Sequence, residues 1–317
     1  MKKIIDKILS KYESYEIKKI DSGASQRLFY RLTKNNHSII LMDSENEKKQ
    51  YNNYLKVHNY LSNINVSIPE IYEKYDNEKI LLMEDFGNNR FDKIFQSYNF
   101  KKIFHTAVEA LITINNEIDF EHSYDLKKYN FKMFISEISE LLDFYYPFFH
   151  KNKISKNLKE DFFFYWQDQY NQLNFDFKHF VHKDFNINNL MYLNNKKKHL
   201  KCGILDFQNA FWGESCWDLF SLLEDSRVLF DNKYNEYFID YYYNNTKQRI
   251  SYNEFKKKYY VLSTSRQTRL LGRWIKLTKN INNDFYLKFI PITKKRLIEG
   301  MSKLDNKKLK SIYSKII

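Results

Sequence analysis

From residue 181 to residue 190 the chain reads Val-His-Lys-Asp-Phe-Asn-Ile-Asn-Asn-Leu, and from 203 to 207 it reads Gly-Ile-Leu-Asp-Phe. Asn189 follows Asp184 by 5 positions, and Asp206 ends an apolar run 17 positions after Asn189. The interval fits a β-hairpin, with Leu190 to Leu193 as one strand, Asn194-Asn195 as the turn and Lys201 to Leu205 as the return. Such a hairpin brings Asn189 and Asp206 to the same end. One carboxylate ahead of a hairpin, with an amide oxygen and a second carboxylate at its base, is the set that phosphoryl transfer from a nucleotide requires. Asp184 would orient an acceptor hydroxyl and receive its proton, while Asn189 and Asp206 would hold Mg²⁺ ions that bridge the phosphates. A polar surface loop ahead of two strands is the competing reading. It does not account for three residues at these offsets with a hairpin between them.

Length and composition narrow the class. A chain of 317 residues can bury one large or two modest cores. With 43% hydrophobic and 18% aromatic residues it is a folded chain, and only 6 Gly and 3 Pro leave little room for long linkers. Cys202 and Cys216 do not make a disulfide framework or a four-ligand zinc site, and two buried thiols in a reducing compartment are expected. No apolar run is long enough to span a bilayer, and Met1-Lys2-Lys3-Ile4-Ile5-Asp6 is charged too early for a signal peptide, so a cytoplasmic protein is expected. The formal charge of +13 invites a nucleic-acid reading. The lysines are spread along the whole chain, however, and clusters such as Lys196-Lys197-Lys198 suit solvated turns and helix faces. No specific nucleic-acid or membrane partner is expected.

Along the chain, the first 90 residues read mostly as strand: Glu16 to Ile20, Leu28 to Leu32, Ser38 to Met42, Glu70 to Lys74 and Lys79 to Met83. A small-residue turn, Asp21-Ser22-Gly23-Ala24-Ser25, separates the first two. The spacing of Tyr51, Tyr54, Leu55, His58 and Leu61 predicts a helix over 45–61. After the polar segment Glu84-Asp85-Phe86-Gly87-Asn88-Asn89 the pattern turns helical, over Phe100 to Asn115, Phe131 to Tyr146 and Leu158 to Leu173, and again from Cys216 onward. The expected fold is α+β and bilobal, protein-kinase-like, with a small β-rich N-lobe and a large mainly helical C-lobe. Residues 1–88 would form the nucleotide-binding lobe ending in the hinge, and residues 89–317 the catalytic and acceptor-binding lobe.

With these residues in place, the chain resembles the aminoglycoside phosphotransferase and choline kinase superfamily, and within it the bacterial anomeric kinases of N-acetylmuramate and N-acetylglucosamine. The likeness runs from about residue 20 to about residue 290. It is carried by Gly23-Ala24-Ser25-Gln26-Arg27-Leu28-Phe29-Tyr30-Arg31, by Leu81-Leu82-Met83-Glu84-Asp85-Phe86-Gly87 and by Ile204-Leu205-Asp206-Phe207-Gln208-Asn209-Ala210. Two later blocks agree, Asp218 to Arg227 and Arg266-Gln267-Thr268-Arg269-Leu270-Leu271-Gly272. The resemblance implies an ATP- and Mg²⁺-dependent kinase acting on a hydroxyl of an amino sugar, with peptidoglycan recycling as its setting. Two features depart from protein kinases. The third strand ends in Met42-Asp43 without a lysine for the phosphates, so Arg27, Arg31 and Lys48 are the candidate replacements, in that order. The nucleotide loop has Gly23 as its single glycine, so Ser22 and Ser25 would share the phosphate contacts. Adenine is expected against the backbone around Glu84 and Phe86.

Acceptor contacts are assigned to Asp225, Arg227, Arg266 and Arg269, a carboxylate and guanidinium set suited to ring hydroxyls, an acetamido group and a carboxylate. An ion pair internal to the lobe between Asp225 or Glu224 and one of these arginines is the alternative. His182 is expected to shape the loop and Lys183 to approach the transferring phosphate. Asp218 is expected either to cap its helix or to brace the loop backbone. Other readings are an aminoglycoside, choline or ethanolamine kinase, or a pseudokinase-like binding protein. Retention of Asp184, Asn189 and Asp206 argues against the last. Asp218 follows Asp206 by only 12 positions, which leaves little surface for a peptide substrate.

Overall fold

A computed structural model describes residues 8, 10–20, 26–95, 99–120, 126–228, 233–247 and 249–317. These fall into two compact units, residues 1–114 with 187–209, and residues 115–186 with 210–317. Among the described residues no helix is long and apolar enough to cross a membrane.

Short apolar runs, pleated so that alternate residues face opposite sides, build the first unit. Strands β1 (Glu16–Ile20), β2 (Leu28–Lys34), β3 (His37–Asp43), β4 (Ile71–Tyr75) and β5 (Ile80–Glu84) form one antiparallel sheet in the order β1-β2-β3-β5-β4. Leu32 pairs with Ile39 and Leu41 with Leu82, so the period of two puts Leu32, Ile39, Leu41, Ile80 and Leu82 into a single buried cluster with Ile8. Each such aliphatic contributes about 1.5–3 kcal/mol on burial. Met42, Leu81 and Met83 alternate to the opposite face. There helix α1 (Lys48–Ser62) buries Tyr51, Tyr54, Val57 and Leu61, and the Tyr54 hydroxyl reaches the Met83 sulfur at 3.6 Å. The strand-strand-strand-helix-strand-strand order expected from the sequence is the order observed. Helices α2 (Phe91–Ile94) and α3 (Phe100–Glu117) follow.

The hairpin expected at 190–205 is also present, and it packs on the first unit. Strands β7 (Leu190–Tyr192) and β8 (Cys202–Ile204) pair antiparallel, Leu190 opposite Ile204. Ile204 N donates to Ser67 O at 2.8 Å and Tyr192 N to Asn89 O at 2.7 Å. Gly203 is required for this seating, because a Cβ there would lie 2.7 Å from the Phe86 ring.

The second unit is helical and aromatic. Its elements are α4 (Phe131–Glu140), α5 (Tyr146–His150), α6 (Lys156–Asn171), β6 (His179–Val181), β9 (Phe211–Gly213), α7 (Trp217–Leu223), α8 (Lys233–Asn245), α9 (Tyr252–Ile281), α10 (Ile290–Lys303) and α11 (Lys307–Ile316). Ser155, Ser251 and Asn306 accept from the backbone N–H three residues on and so cap α6, α9 and α11. Tyr129, Phe211 and Trp217 form a core of rings with centroids 4.8–5.6 Å apart. Two details differ from expectation. The helix expected over 131–146 is broken by a π-helical turn at Leu141–Tyr145. This is where Gly272 of α9 crosses, so close that a Cβ at 272 would sit 2.0 Å from Glu140 O. Strand β9 was not read at all, because three residues whose partner is His179–Val181 show no local periodicity.

Candidate active site

In the first unit the β7–β8 ladder sets the two expected metal ligands side by side. Asn189 and Leu205 flank its last pair, and Leu205 N donates to Asn189 O at 2.9 Å. Asp206 follows directly, with φ +64°, a left-handed conformation unusual for a residue with a side chain. Its Oδ1 accepts from Arg27 Nη2 at 2.5 Å and from Gln208 Nε2 at 2.8 Å. An amide oxygen and a carboxylate are hard donors, and Mg²⁺ takes few protein ligands beside phosphate and water, so this pair fits that ion. Among the described residues no cluster of three or more His, Cys, Asp or Glu offers a fuller cage.

Arg27 is buried, and the sheet explains why it matters. It stands one position before β2, whose Leu28 pairs with Asp43 of β3. Its guanidinium lies over the Met42 sulfur at 3.9 Å and over the Phe29 ring at 5.4 Å, with Nε 3.5 Å from Glu47 just ahead of α1. A buried guanidinium thus stands at the start of the second strand, above the side chain of Met42. Arg31 is otherwise engaged. It pairs with Asp85 at 2.6 Å and donates to Gly87 O and Asn88 Oδ1 at 2.8 and 2.6 Å, which fixes the segment after β5. Lys48 is exposed. Glu84 ends β5 with its N–H on Glu70 O, and the Phe86 ring rests on Gly203. Ser22, Gly23 and Ser25 lie outside the described residues.

Asp184 belongs to the second unit. It is half-buried, just after β6, in a loop held by Asp218 near the start of α7. Asp218 Oδ2 accepts from His182 N at 2.6 Å and Oδ1 from Lys183 N at 3.0 Å. Lys183 has φ +82°. Asp218 therefore braces the loop, and α7 receives no side-chain cap. Burial pushes the Asp218 carboxyl up to about 7, with the Asp184 charge adding to the rise and the two N–H donors and Arg266 opposing it. The His182 ring is buried edge-on against Phe185, the shaping role expected of it. Asn186 donates from N and Nδ2 to Asp184 O at 2.9 and 3.0 Å, closing the turn that presents the carboxylate.

The four expected acceptor residues also lie in the second unit, and the structure divides them. Asp225 Oδ1 accepts from the Arg227 backbone N and from Nη1, each at 3.0 Å, and the Arg227 guanidinium lies 5.5 Å over Trp274. The internal ion pair weighed from the sequence is formed there. Arg269 Nη1 donates to Glu137 at 3.1 Å. Arg266, one turn earlier on α9, is buried with Nε and Nη1 unbonded. Both arginines are close enough to Asp184 to be stabilised by its charge. Glu47, Gln208, Asn186 and Glu137 were missed as site residues. Gln208 stands in the run Ile204 to Ala210, and Glu47 falls inside the helix expected over 45–61.

The fold and this arrangement meet what comparison with known proteins finds. Residues 156–251 match the family described as Phosphotransferase enzyme family. Choline kinase LicA from Streptococcus pneumoniae superposes with a TM-score of 0.64 at 16% identity, over 96% of this chain and 99% of that one. The streptomycin–ATP complex of APH(2")-IIa gives 0.60 at 15%, over 87% and 93%. These define the class: the chain is a kinase, a phosphotransferase built on the protein-kinase-like fold. Among curated relatives, it is similar to N-acetylmuramate/N-acetylglucosamine kinase of Neisseria meningitidis, 23% identical over 85% of this chain and 81% of that protein. The protein of the same name from Caulobacter vibrioides is 29% identical over 35% of this chain, a match that spans 31% of the relative's length.

Proposed function

We propose that this kinase transfers the γ-phosphoryl group of ATP, with Mg²⁺, to a hydroxyl of an amino sugar of the N-acetylmuramate or N-acetylglucosamine type, the anomeric hydroxyl in the first instance. The two curated relatives above are named as kinases of these two sugars, and the setting would be cytoplasmic recycling of cell-wall sugars. Residues 1–88 would take the nucleotide and residues 89–317 would supply catalysis and the acceptor site. Ser22, Gly23 and Ser25 would cradle phosphates, and the backbone at Glu84 and Phe86 would meet adenine. Arg27, anchored by Glu47, would neutralise phosphate oxygens in place of the third-strand lysine. Asn189 and Asp206 would hold Mg²⁺, which would offset the negative charge of the phosphates. Asp184 would accept the proton of the attacking hydroxyl as its oxygen bonds to phosphorus and the bond to the β-phosphate oxygen breaks.

The observation that carries the reading is the hairpin that sets Asn189 beside Asp206 with Arg27 already on the carboxylate. Choline, ethanolamine and aminoglycosides are cationic acceptors. They suit this chain less well, because Arg266 and Arg269 both feel the Asp184 charge and Arg266 has Nε and Nη1 unbonded among the described residues. The test is transfer of label from γ-labelled ATP to a panel of N-acetylmuramate, N-acetylglucosamine, choline, ethanolamine and aminoglycosides. Label in the amino sugars is expected; label in a cationic acceptor alone would overturn the reading.

A further inference from the structure

Arg266 sits in the middle of the 30-residue α9 and is 4% exposed. Its Nε and Nη1 are shut off from solvent without a hydrogen-bond partner, and among the described residues no carboxylate pairs with it. Its neighbours do not resolve this. Arg269 and Arg227 repel its charge, while Asp225, Asp184, Asp218 and Glu224 attract it without bonding Nε or Nη1. Asp225, however, already holds Arg227 through Oδ1, and Arg269 is held by Glu137. Burial lowers the Arg266 pKa only to about 10, so the group is charged at neutral pH. A buried guanidinium with orphaned donors is strongly unfavourable, and folded proteins keep such groups where something else completes them. The surrounding carboxylates offset the charge, and what is left open is the pair of donors, Nε and Nη1. A carboxylate offers two acceptor oxygens to that pair, and the Asp184 charge nearby puts such a ligand on the reacting side of the unit.

We propose that Arg266 binds an anionic group of the acceptor, a carboxylate such as the lactyl carboxylate of N-acetylmuramate, and thereby makes the enzyme select the acidic amino sugar over its neutral parent. The inference rests on the reading of the second unit as the acceptor side. An anionic oxygen could also come from the transferring phosphate, and the two sources differ in what they predict for the nucleotide. If the carboxylate is the ligand, removing the guanidinium weakens only acidic acceptors. If the phosphate is the ligand, all acceptors and ATP suffer together.

The experiment compares N-acetylmuramate, its methyl ester and N-acetylglucosamine as acceptors for the wild-type enzyme, Arg266→Gln and Arg266→Lys. A charge-assisted contact corresponds to about 10- to 100-fold in kcat/KM, so the wild type is expected to favour the free acid over the ester by that factor. Arg266→Gln should bring acid and ester to within about 3-fold of each other, with the KM for ATP unmoved, and Arg266→Lys should restore part of the preference. The Tm of Arg266→Gln should hold or rise, because two buried donors without partners have been removed. An unchanged acid-to-ester ratio in Arg266→Gln, or a loss shared by every acceptor together with a raised KM for ATP, overturns the proposal. Equal turnover of acid and ester by the wild type also overturns it while leaving the amino-sugar reading intact. Turnover of neither sugar overturns both.

Discussion

Arg27 and Asp206 meet at 2.5 Å across the first unit, and each has a second partner, Glu47 at 3.5 Å and Gln208 at 2.8 Å. If Arg27 serves the nucleotide phosphates, Arg27→Met should lower kcat/KM for ATP by roughly 10²–10³-fold with the acceptor KM nearly unchanged. A loss confined to the acceptor would assign the guanidinium elsewhere. Asp184→Asn should behave differently, cutting turnover by roughly 10²–10⁴-fold while nucleotide still binds. An unaltered rate there ends the mechanism proposed above. Asp218 gives the pH dependence. Its folded carboxyl titrates near 7, above the ordinary value of about 3.9, so between those limits the folded chain retains a proton that the unfolded chain has released. Its contribution to stability is therefore complete in acid and is lost as pH rises through that window. The ionised form is the one that accepts both loop N–H groups. Turnover should thus rise with pH through about 7, and Asp218→Asn, with one oxygen for two donors, should lose that limb and run roughly 10-fold slower at pH 8. A wild-type profile in this variant would show that the brace is dispensable. The placing of Asn189 near Asp206 was legible because one hairpin sets their spacing, whereas Asp184 lies ahead of that hairpin. Arg27 could be ranked first among the cations, but its seat above Met42 depends on the register of β2 against β3, which only pairing reveals.

At the scale of elements, the sheet was readable and the long helix was not. Strands β3 and β5 read as apolar runs, Ile39 to Met42 and Ile80 to Met83, and the pleat sends alternate members to the buried cluster, so a one-residue slip would reverse every side chain. Helix α9 gives no such signal. Its buried residues include Ser263, Thr264, Ser265, Arg266, Gln267, Thr268 and Arg269, a run that reads as solvent-exposed. They are inside because tertiary partners satisfy several of them: Gln267 bonds Glu224 O and Ser226, and Thr268 bonds Tyr313. Gly272 then fixes the height of the helix against the Glu140 carbonyl. Gly272→Ala should cost about 1–3 kcal/mol, a drop in Tm of several degrees, because backbone and not a pliable side chain meets the new methyl group. Displacement of α9 carries Arg266 and Arg269 with it, so the acceptor KM should rise more than the KM for ATP. A Tm within a degree of wild type would mean that the crossing yields freely.

For the whole molecule, the order of elements predicted the fold class, but not the grouping of the chain. The change from strands to helices near residue 88 marks where composition shifts, whereas contacts join 187–209 to the N-terminal residues through Ser67 and Asn89. No local pattern in the hairpin names those two partners. Net charge is the remaining global property, +13 spread over 317 residues. A polyanion-binding protein and a kinase of anionic small molecules would both exploit it, and they differ in how salt acts. For the kinase, the field of the protein speeds the encounter with Mg·ATP and an acidic sugar but does not alter the bound complex. Raising ionic strength from about 20 mM to about 200 mM shortens the screening length from roughly 20 Å to roughly 7 Å, so kcat/KM for both substrates should fall several-fold. The kcat should stay constant, and so should the relative rates with N-acetylmuramate and its ester, because a buried guanidinium is screened far less than the surface lysines. Single-stranded RNA added at low salt should inhibit only weakly, and that inhibition should vanish over the same salt range. Tight RNA binding that survives 200 mM salt, with kcat/KM indifferent to salt, would mean that the positive surface serves a polyanion partner and not substrate capture.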